Sequence, residues 1–463
     1  MNESSFRDTP RVHFIAVGGS VMHNLAIALH HKGYHVTGSD DEIVEPSRGR
    51  LQQVGLLPAE IGWFPEKVHA GLTAVILGMH ARLDNPELRR AQELSIRIYS
   101  YPEYIYEQCV DKQRVVIAGS HGKTTITSMI LHVLRFHQRQ FDYVVGARLE
   151  GFDTTVKLTG DAPVVVIEGD EYLSSPLDRR PKFLHYRHHV GLISGIAWDH
   201  INVYTTFEEY VRQFEEFADL SPKGGTLIYD ETDDLVSVIC RKEREDVTSL
   251  EYTVHPHVIR DGQTFLRPPD SEEVPVRVFG EHNMKNISGA KAVCGRVGIG
   301  EARFYEAIQS FKGAANRLEL LGENGHATVF KDFAHAPSKL EATTQAVKAQ
   351  FPRRQLVACL ELHTFSSLNK NFLGQYRDTF NEADVSVVYY NPHTLAHKQL
   401  ESLSEEDVRT AFNNPRLQIF TDSQLLRAYL LRQDWRDKNL LLMSSGNFNG
   451  TDTKALAGEV LGK

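Results

Sequence analysis

The stretch Ala118-Gly-Ser-His-Gly-Lys-Thr-Thr125 constrains this chain more than any other. An apolar run, Arg114-Val-Val-Ile-Ala118, leads into it, and apolar residues at Ile126, Met129, Ile130, Val133 and Leu134 follow. The second spacing is one face of a helix. A strand, a glycine-rich turn and a helix opening on Lys-Thr form a cradle for phosphate. Backbone N–H groups and the positive helix end meet the anion, the lysine adds a charge, and a hydroxyl can hold Mg²⁺. The usual G-x-x-x-x-G-K-[ST] pattern is longer, since only two residues separate Gly119 from Gly122. A chance Gly-Lys-Thr in a loop is the competing reading, but the flanking strand and amphipathic helix favour an ATP site. Gly119, Ser120, His121, Gly122, Lys123, Thr124 and Thr125 are its candidate contacts.

A chain of 463 residues exceeds one core, so about two or three domains are expected. With 41% hydrophobic and 24% charged residues the composition is that of a globular protein. A net charge of −9 argues against a general nucleic-acid binder. Cys109, Cys240, Cys294 and Cys359 are scattered, which points to neither a disulfide framework nor a zinc site. The polar start lacks the apolar stretch of a signal peptide, and no run approaches a membrane span, so a cytoplasmic setting without membrane partners is expected.

Before the phosphate loop, Val12-His-Phe-Ile-Ala-Val-Gly-Gly19 reads as a strand entering a turn. A helix around Leu25–Leu29 and a second strand, His35-Val-Thr-Gly-Ser-Asp40, follow. An acidic residue about twenty positions after such a turn is a feature of dinucleotide-binding units. A G-x-G-x-x-G turn would need glycines at 16, 18 and 21, where the chain has Ala16, Gly18 and Val21. NAD is therefore a weak reading. A nucleotide-type ligand on a modified turn (Gly18, Gly19), with Ser39 or Asp40 reaching its sugar or base, competes with Asp40 as a plain turn cap. Asp84-Asn-Pro-Glu87 looks like a helix start.

Beyond the loop, Pro163-Val-Val-Val-Ile167 reads as a central parallel strand ending in Glu168-Gly-Asp-Glu-Tyr172. Acidic groups there are placed to hold Mg²⁺, with a solvated acidic loop as the alternative. Leu192-Ile-Ser-Gly-Ile-Ala-Trp-Asp-His200 repeats the design and makes His200 a candidate metal ligand, against a structural histidine. Residues 241–278 read as irregular with short strands, and Gly280-Glu-His-Asn-Met-Lys-Asn286 as preceding an Ala-rich helix. From about 315 onwards, strands alternating with helices predict a second open parallel sheet. Its closing Ser444-Ser-Gly-Asn-Phe-Asn-Gly450 turn suits close backbone approach to a ligand.

These motifs, in order, resemble the Mur ligases, ATP-dependent amide-forming enzymes of peptidoglycan assembly and recycling. The likeness runs through Val-Thr-Gly-Ser-Asp40, the short phosphate loop, Ile-Glu-Gly-Asp-Glu-Tyr172, Asp199-His200, Gly-Glu-His-Asn-Met-Lys-Asn286, Asn-Arg-Leu-Glu-Leu320 and Lys-Asp-Phe-Ala-His-Ala-Pro337. It implies an α/β protein of three domains. They are a Rossmann-like UDP-sugar domain (1–110), a central P-loop ATPase domain (111–314) and a Rossmann-like C-terminal ligase domain (315–463). Within the family, Glu171-Tyr172, the run Leu-Asp-Arg-Arg-Pro-Lys-Phe-Leu-His-Tyr186 and the late Met-Ser-Ser-Gly-Asn-Phe-Asn-Gly450 are similar to the branch joining UDP-N-acetylmuramate to L-alanyl-γ-D-glutamyl-meso-diaminopimelate. The L-alanine-adding branch is the alternative.

The resemblance further implies ATP with Mg²⁺. Lys123 would contact the β/γ-phosphates, Thr124 and Glu168 would hold one Mg²⁺, and His200 would serve a second. Asn283 would meet adenine, Arg317 and Asp332 the nucleotide from the far domain, and Gly18, Gly19, Ser39 and Asp40 the UDP-sugar. The chain departs from the family pattern at Ala16, His23, Asn24, Leu173, Asn202 and Ala336. Retention of Lys123, Thr124, Glu168 and His200 together speaks against a ligase-like binder without turnover. A mechanical P-loop NTPase is the other competing class.

Overall fold

The computed structural model describes residues 9–147, 149–198, 203–241, 244–269 and 271–462. Near the N-terminus, four parallel strands lie in the order His35–Ser39, Arg11–Ile15, Ala74–Leu77, Ile98–Ser100. Helix Met22–His31 makes the first crossover, as parallel neighbours require. The helix start read at Asp84–Glu87 is observed. Asn85 accepts from the N–H groups of Glu87 and Leu88, and proline occupies the first helical position of Pro86–Glu93.

The central sheet has seven strands, in the order Thr248–Tyr252, Thr226–Asp230, Val190–Ile193, Gln113–Ala118, Val164–Glu168, Asp142–Val144, Val156–Lys157. All pairs are parallel except the last. The two apolar runs that flank the phosphate loop in space, Gln113–Ala118 and Val164–Glu168, are interior neighbours, which is why neither alternates. Helix Lys123–Phe136 covers them with Ile126, Met129, Ile130 and Val133, all fully buried. Each such side chain contributes about 1.5–3 kcal/mol. One apolar cluster runs from Val12, Phe14 and Leu25 to Val116, Ile167, Phe183 and Phe214, so the first two sheets share a core.

Two elements differ from the sequence reading. Gly280–Asn286 does not precede the helix; the helix is Glu281–Arg296, and only Gly280 stands outside it. Gly280 has φ +87° and a Cβ there would lie 2.5 Å from Ala346, so the turn and the neighbouring helix Pro337–Gln350 both require glycine. The last sheet, in the order Glu319–Glu323, Ala327–Asp332, Lys438–Met443, Gln355–Leu362, Val385–Tyr390, Gln418–Phe420, is parallel except at its first strand. That strand turns back in a hairpin because Asn324 accepts from the N–H groups of His326 and Ala327 (2.9 and 2.8 Å). The region read as irregular with short strands holds the edge strand Thr248–Tyr252 and a small antiparallel sheet of His257–Arg260, Gln263–Leu266 and Val274–Val276. Among the described residues no helix is long and apolar enough to cross a membrane.

Candidate active site

The phosphate loop leaves strand Gln113–Ala118 and opens helix Lys123–Phe136 at the carboxyl edge of the central sheet. Gly119 (φ +121°) and Gly122 (φ +72°) both occupy conformations that favour glycine. A Cβ at 119 would stand 2.7 Å from the Ser194 nitrogen, and one at 122 would strike the Asn286 side-chain oxygen. The loop is therefore wedged between the end of strand Val190–Ile193 and helix Glu281–Arg296. Ser194 also donates to the His121 carbonyl. His121 Nε2 lies 3.2 Å from Ser338 Oγ, which brings the C-terminal unit to the loop. Thr125 is buried beneath it.

Lys123 donates from Nζ to the Gly119 carbonyl (2.6 Å) and to Glu171 Oε2 (2.7 Å). Burial pulls the ammonium pKa down, but the Glu171 carboxylate outweighs it, with Asp170 and Glu168 adding to the pull, and the net shift is upward. Glu171 is buried and also accepts from Tyr210 OH (3.2 Å). Tyr210 OH lies 2.8 Å from Ser120 Oγ, which accepts from the Ala197 N–H (2.9 Å). Each hydroxyl has one proton, so the chain runs in one direction: Ala197 to Ser120, Ser120 to Tyr210, Tyr210 to Glu171.

Thr124 Oγ1 donates to Glu168 Oε1 (2.6 Å), and Glu168 Oε2 accepts from the Gly146 N–H (2.9 Å). A hydroxyl and a carboxylate side by side next to Lys123 are the hard oxygen donors that Mg²⁺ prefers, so this pair fits the ion. His200, like Asp199 and Asn202, lies outside the described residues.

Asn283 is buried; its Nδ2 donates to the Phe279 carbonyl (2.8 Å) and its Oδ1 meets Asn286 Nδ2 at 3.4 Å. The structure thus links it to the loop through Asn286. Arg317 stacks over the Phe333 ring (4.7 Å) beside buried Asp332, whose Oδ2 accepts from the Leu318 N–H (2.6 Å). Burial pushes the Asp332 carboxyl up against the opposing pull of Arg317. Leu173 is buried, and Ala336 stands at the start of helix Pro337–Gln350.

In the N-terminal unit, Asp40 accepts from the Gly18 N–H (2.7 Å) and the Glu42 N–H (3.4 Å). Its carboxylate serves here as a turn acceptor, and burial raises its pKa. The Ser39 carbonyl receives the N–H groups of Ala16 and Val17, while its hydroxyl is 3.5 Å from Lys67 Nζ. Ala16 adopts φ +67°, a conformation that costs a non-glycine residue about 1 kcal/mol. His23 donates from Nδ1 to the Gly19 carbonyl (2.8 Å), which leaves Nε2 as acceptor for Asn24 Nδ2 (2.9 Å) and Arg50 Nη1 (3.3 Å). Burial, with Arg50 adding to it, holds the His23 imidazole below its usual range.

Sequence reasoning gave no site role to Glu171, Tyr210, Ser194 or Asn286. Glu171 was visible within an acidic strand end, but nothing local separates it from Asp170; Tyr210 reads as one more apolar position on its helix. At the closing turn, a Cβ on Gly446 would lie 2.7 Å from the His363 ring and 2.8 Å from Glu361 Oε2. The close approach this glycine permits is to its own domain.

Fold and site define a multi-domain α/β protein built around a phosphate loop. Residues 117–294 match the Mur ligase middle domain, 11–112 the Mur ligase catalytic domain and 316–446 the Mur ligase glutamate ligase domain. The chain is 31% identical to the UDP-N-acetylmuramate–L-alanine ligase of Salinibacter ruber, with 82% of this chain and 79% of that protein covered. It is 26% identical to the UDP-N-acetylmuramate–L-alanyl-γ-D-glutamyl-meso-2,6-diaminoheptandioate ligase of Haemophilus influenzae, over 96% and 98%. The crystal structure of UDP-N-acetylmuramate–alanine ligase from Thermotoga maritima superposes with a TM-score of 0.69 at 19% identity, covering 95% and 96%. The chain belongs to the Mur ligase family. As such it is an ATP-dependent ligase that forms amide bonds, and the three-domain α/β expectation holds.

Proposed function

We propose that the protein joins the carboxylate of UDP-N-acetylmuramate to the amine of L-alanyl-γ-D-glutamyl-meso-diaminopimelate in peptidoglycan recycling. Residues 1–110 would hold the UDP-sugar, 111–314 the ATP, and 315–463 would bring the amine. The observation that carries the reading is the cluster of Lys123, Glu171, Thr124 and Glu168 at one sheet edge, in a chain whose likeness to the Haemophilus influenzae enzyme spans nearly its whole length.

A carboxylate does not react with an amine at neutral pH until its oxygen becomes a leaving group. The muramyl carboxylate oxygen attacks the γ-phosphorus, ADP departs, and an acyl phosphate forms. The amine then adds to the acyl carbon, loses a proton, and phosphate leaves. Both partners of the first step are anions, so Lys123 exchanges Glu171 for the phosphates and offsets their repulsion. The N–H groups of the loop orient the phosphates. Mg²⁺ on Thr124 and Glu168 would supply further charge neutralisation. The Ser338–His121 contact brings the C-terminal unit to the loop, where closure over the acyl phosphate would exclude water.

The test is ADP release by purified protein with UDP-N-acetylmuramate and either the tripeptide or L-alanine, with products identified by mass. A higher kcat/KM for L-alanine would transfer the assignment to the alanine-adding ligase.

A further inference from the structure

Away from the phosphate loop, three potential ligands meet where the N-terminal unit abuts the central one. Glu103 lies on helix Tyr101–Glu107; Asp178 and His185 belong to the segment that follows Glu171. One ligand atom from each lies within 4.8 Å of the others. The His185 side chain is 5% exposed, its Nε2 has no hydrogen-bond partner, and that nitrogen stands 3.4 Å from Asp178 Oδ2. A buried imidazole nitrogen without a partner is costly unless something occupies it. We propose that Glu103, Asp178 and His185 bind a divalent transition-metal cation of the Zn²⁺ type and so pin the Glu171 segment to the N-terminal unit.

The His185–Asp178 spacing of 3.4 Å fits the ion, and Glu103 lies within 4.8 Å of both. Zn–N and Zn–O bonds of about 2.1 Å in a tetrahedron put ligand atoms about 3.4 Å apart. One imidazole with two carboxylates suits Zn²⁺ or a neighbouring divalent metal better than Mg²⁺, which prefers oxygen alone. His185 Nε2, buried and without a hydrogen-bond partner, is the ring atom that faces Asp178. Glu103 uses Oε2 to accept from the Ser100 N–H and hydroxyl (2.8 and 2.7 Å), which leaves Oε1 for a metal. Arg180 clamps Asp178 at 2.6 Å. Arg180 and the more distant Arg187 offset the two carboxylates in charge, so the ion would be held by its ligand bonds, and water would complete the coordination. The same segment carries Lys182, paired with Asp170 at 2.6 Å beside Glu171, so pinning it steadies the residue that holds Lys123.

The full-length protein, stripped with a chelator and returned to saturating Mg²⁺, is titrated with Zn²⁺ by calorimetry and by thermal unfolding. One equivalent should bind, and Tm should rise with Zn²⁺ concentration. His185→Gln and Glu103→Gln should each weaken binding by about tenfold to a hundredfold or more, with the circular dichroism of the wild type retained. Glu103→Gln keeps an oxygen for Ser100 and decides the matter should His185→Gln misfold. Absence of Zn²⁺ uptake by the wild type, or wild-type affinity in the folded variants, overturns the site and leaves an Arg180-clamped carboxylate beside a neutral histidine.

Discussion

Lys123 Nζ and Glu171 Oε2 are 2.7 Å apart, and the carboxylate in this pair is the last acceptor of a one-way hydrogen-bond chain from Ala197 through Ser120 and Tyr210. The phosphate-loop lysine therefore starts from a defined counter-ion. Under the proposed chemistry, ATP must displace Glu171 to engage it. Glu171→Gln removes that competition and the repulsion between carboxylate and phosphate, but it also loosens the lysine. KM for ATP should fall several-fold, while kcat drops by about tenfold, the cost of a lost positioning contact of about 1.4 kcal/mol. An unchanged KM would remove Glu171 from the nucleotide's path.

Lys123→Ala deletes the charge that offsets anion–anion repulsion. A loss of about a hundredfold or more in kcat is expected, together with a stability cost of about 3 kcal/mol, since the substitution leaves the buried Glu171 carboxylate without its counter-ion. Near-normal ADP release by the variant would contradict the reading of the loop.

Thr124 and Glu168 are 2.6 Å apart at the end of strand Val164–Glu168. Thr124→Ala and Glu168→Gln should each raise the Mg²⁺ concentration giving half-maximal rate, Glu168→Gln more, because it removes a charge as well as a ligand. A Mg²⁺ titration that superposes on the wild type for both would place the ion elsewhere.

The sheets were legible because interior parallel strands such as Val164–Glu168 are uninterrupted apolar runs, and Asn85-Pro86 is a local start signal. The antiparallel strand Glu319–Glu323 was not: its direction is set by the Asn324 turn, which a search for βα alternation passes over. Lys123, Thr124 and Glu168 were legible as a pattern along the chain. Glu171 gains its role from Tyr210, 39 positions away, a pairing that no spacing rule supplies. Asp40 shows the converse, since an acidic residue at a nucleotide-like spacing is engaged by its own turn at Gly18.

His188 tests the energetics of the central sheet independently of catalysis. It is buried, stacked on Phe217 with centroids 4.2 Å apart, and its Nε2 is 2.9 Å from Ser221 Oγ. Burial, with His189 and Arg114 adding to it, pushes its pKa down to about 3 from 6.5. The native state therefore keeps His188 neutral where the unfolded chain takes up a proton. Stability is unaffected above the unfolded value and is lost as pH falls from about 6.5 towards 3, at up to about 1.4 kcal/mol per pH unit. Between pH 7 and pH 5 this one group should cost about 2 kcal/mol. His188→Gln cannot charge and can still bond Ser221. Measured by denaturant unfolding at the two pH values, its loss between pH 7 and pH 5 should be smaller than the wild type's by about that amount. The substitution should cost stability at pH 7, where the stacked ring is lost, so it is the difference between the two pH values that decides. Equal losses in both proteins would mean that His188 is protonated in the native state at pH 5, and that the stacked, neutral imidazole is not what holds this edge of the core.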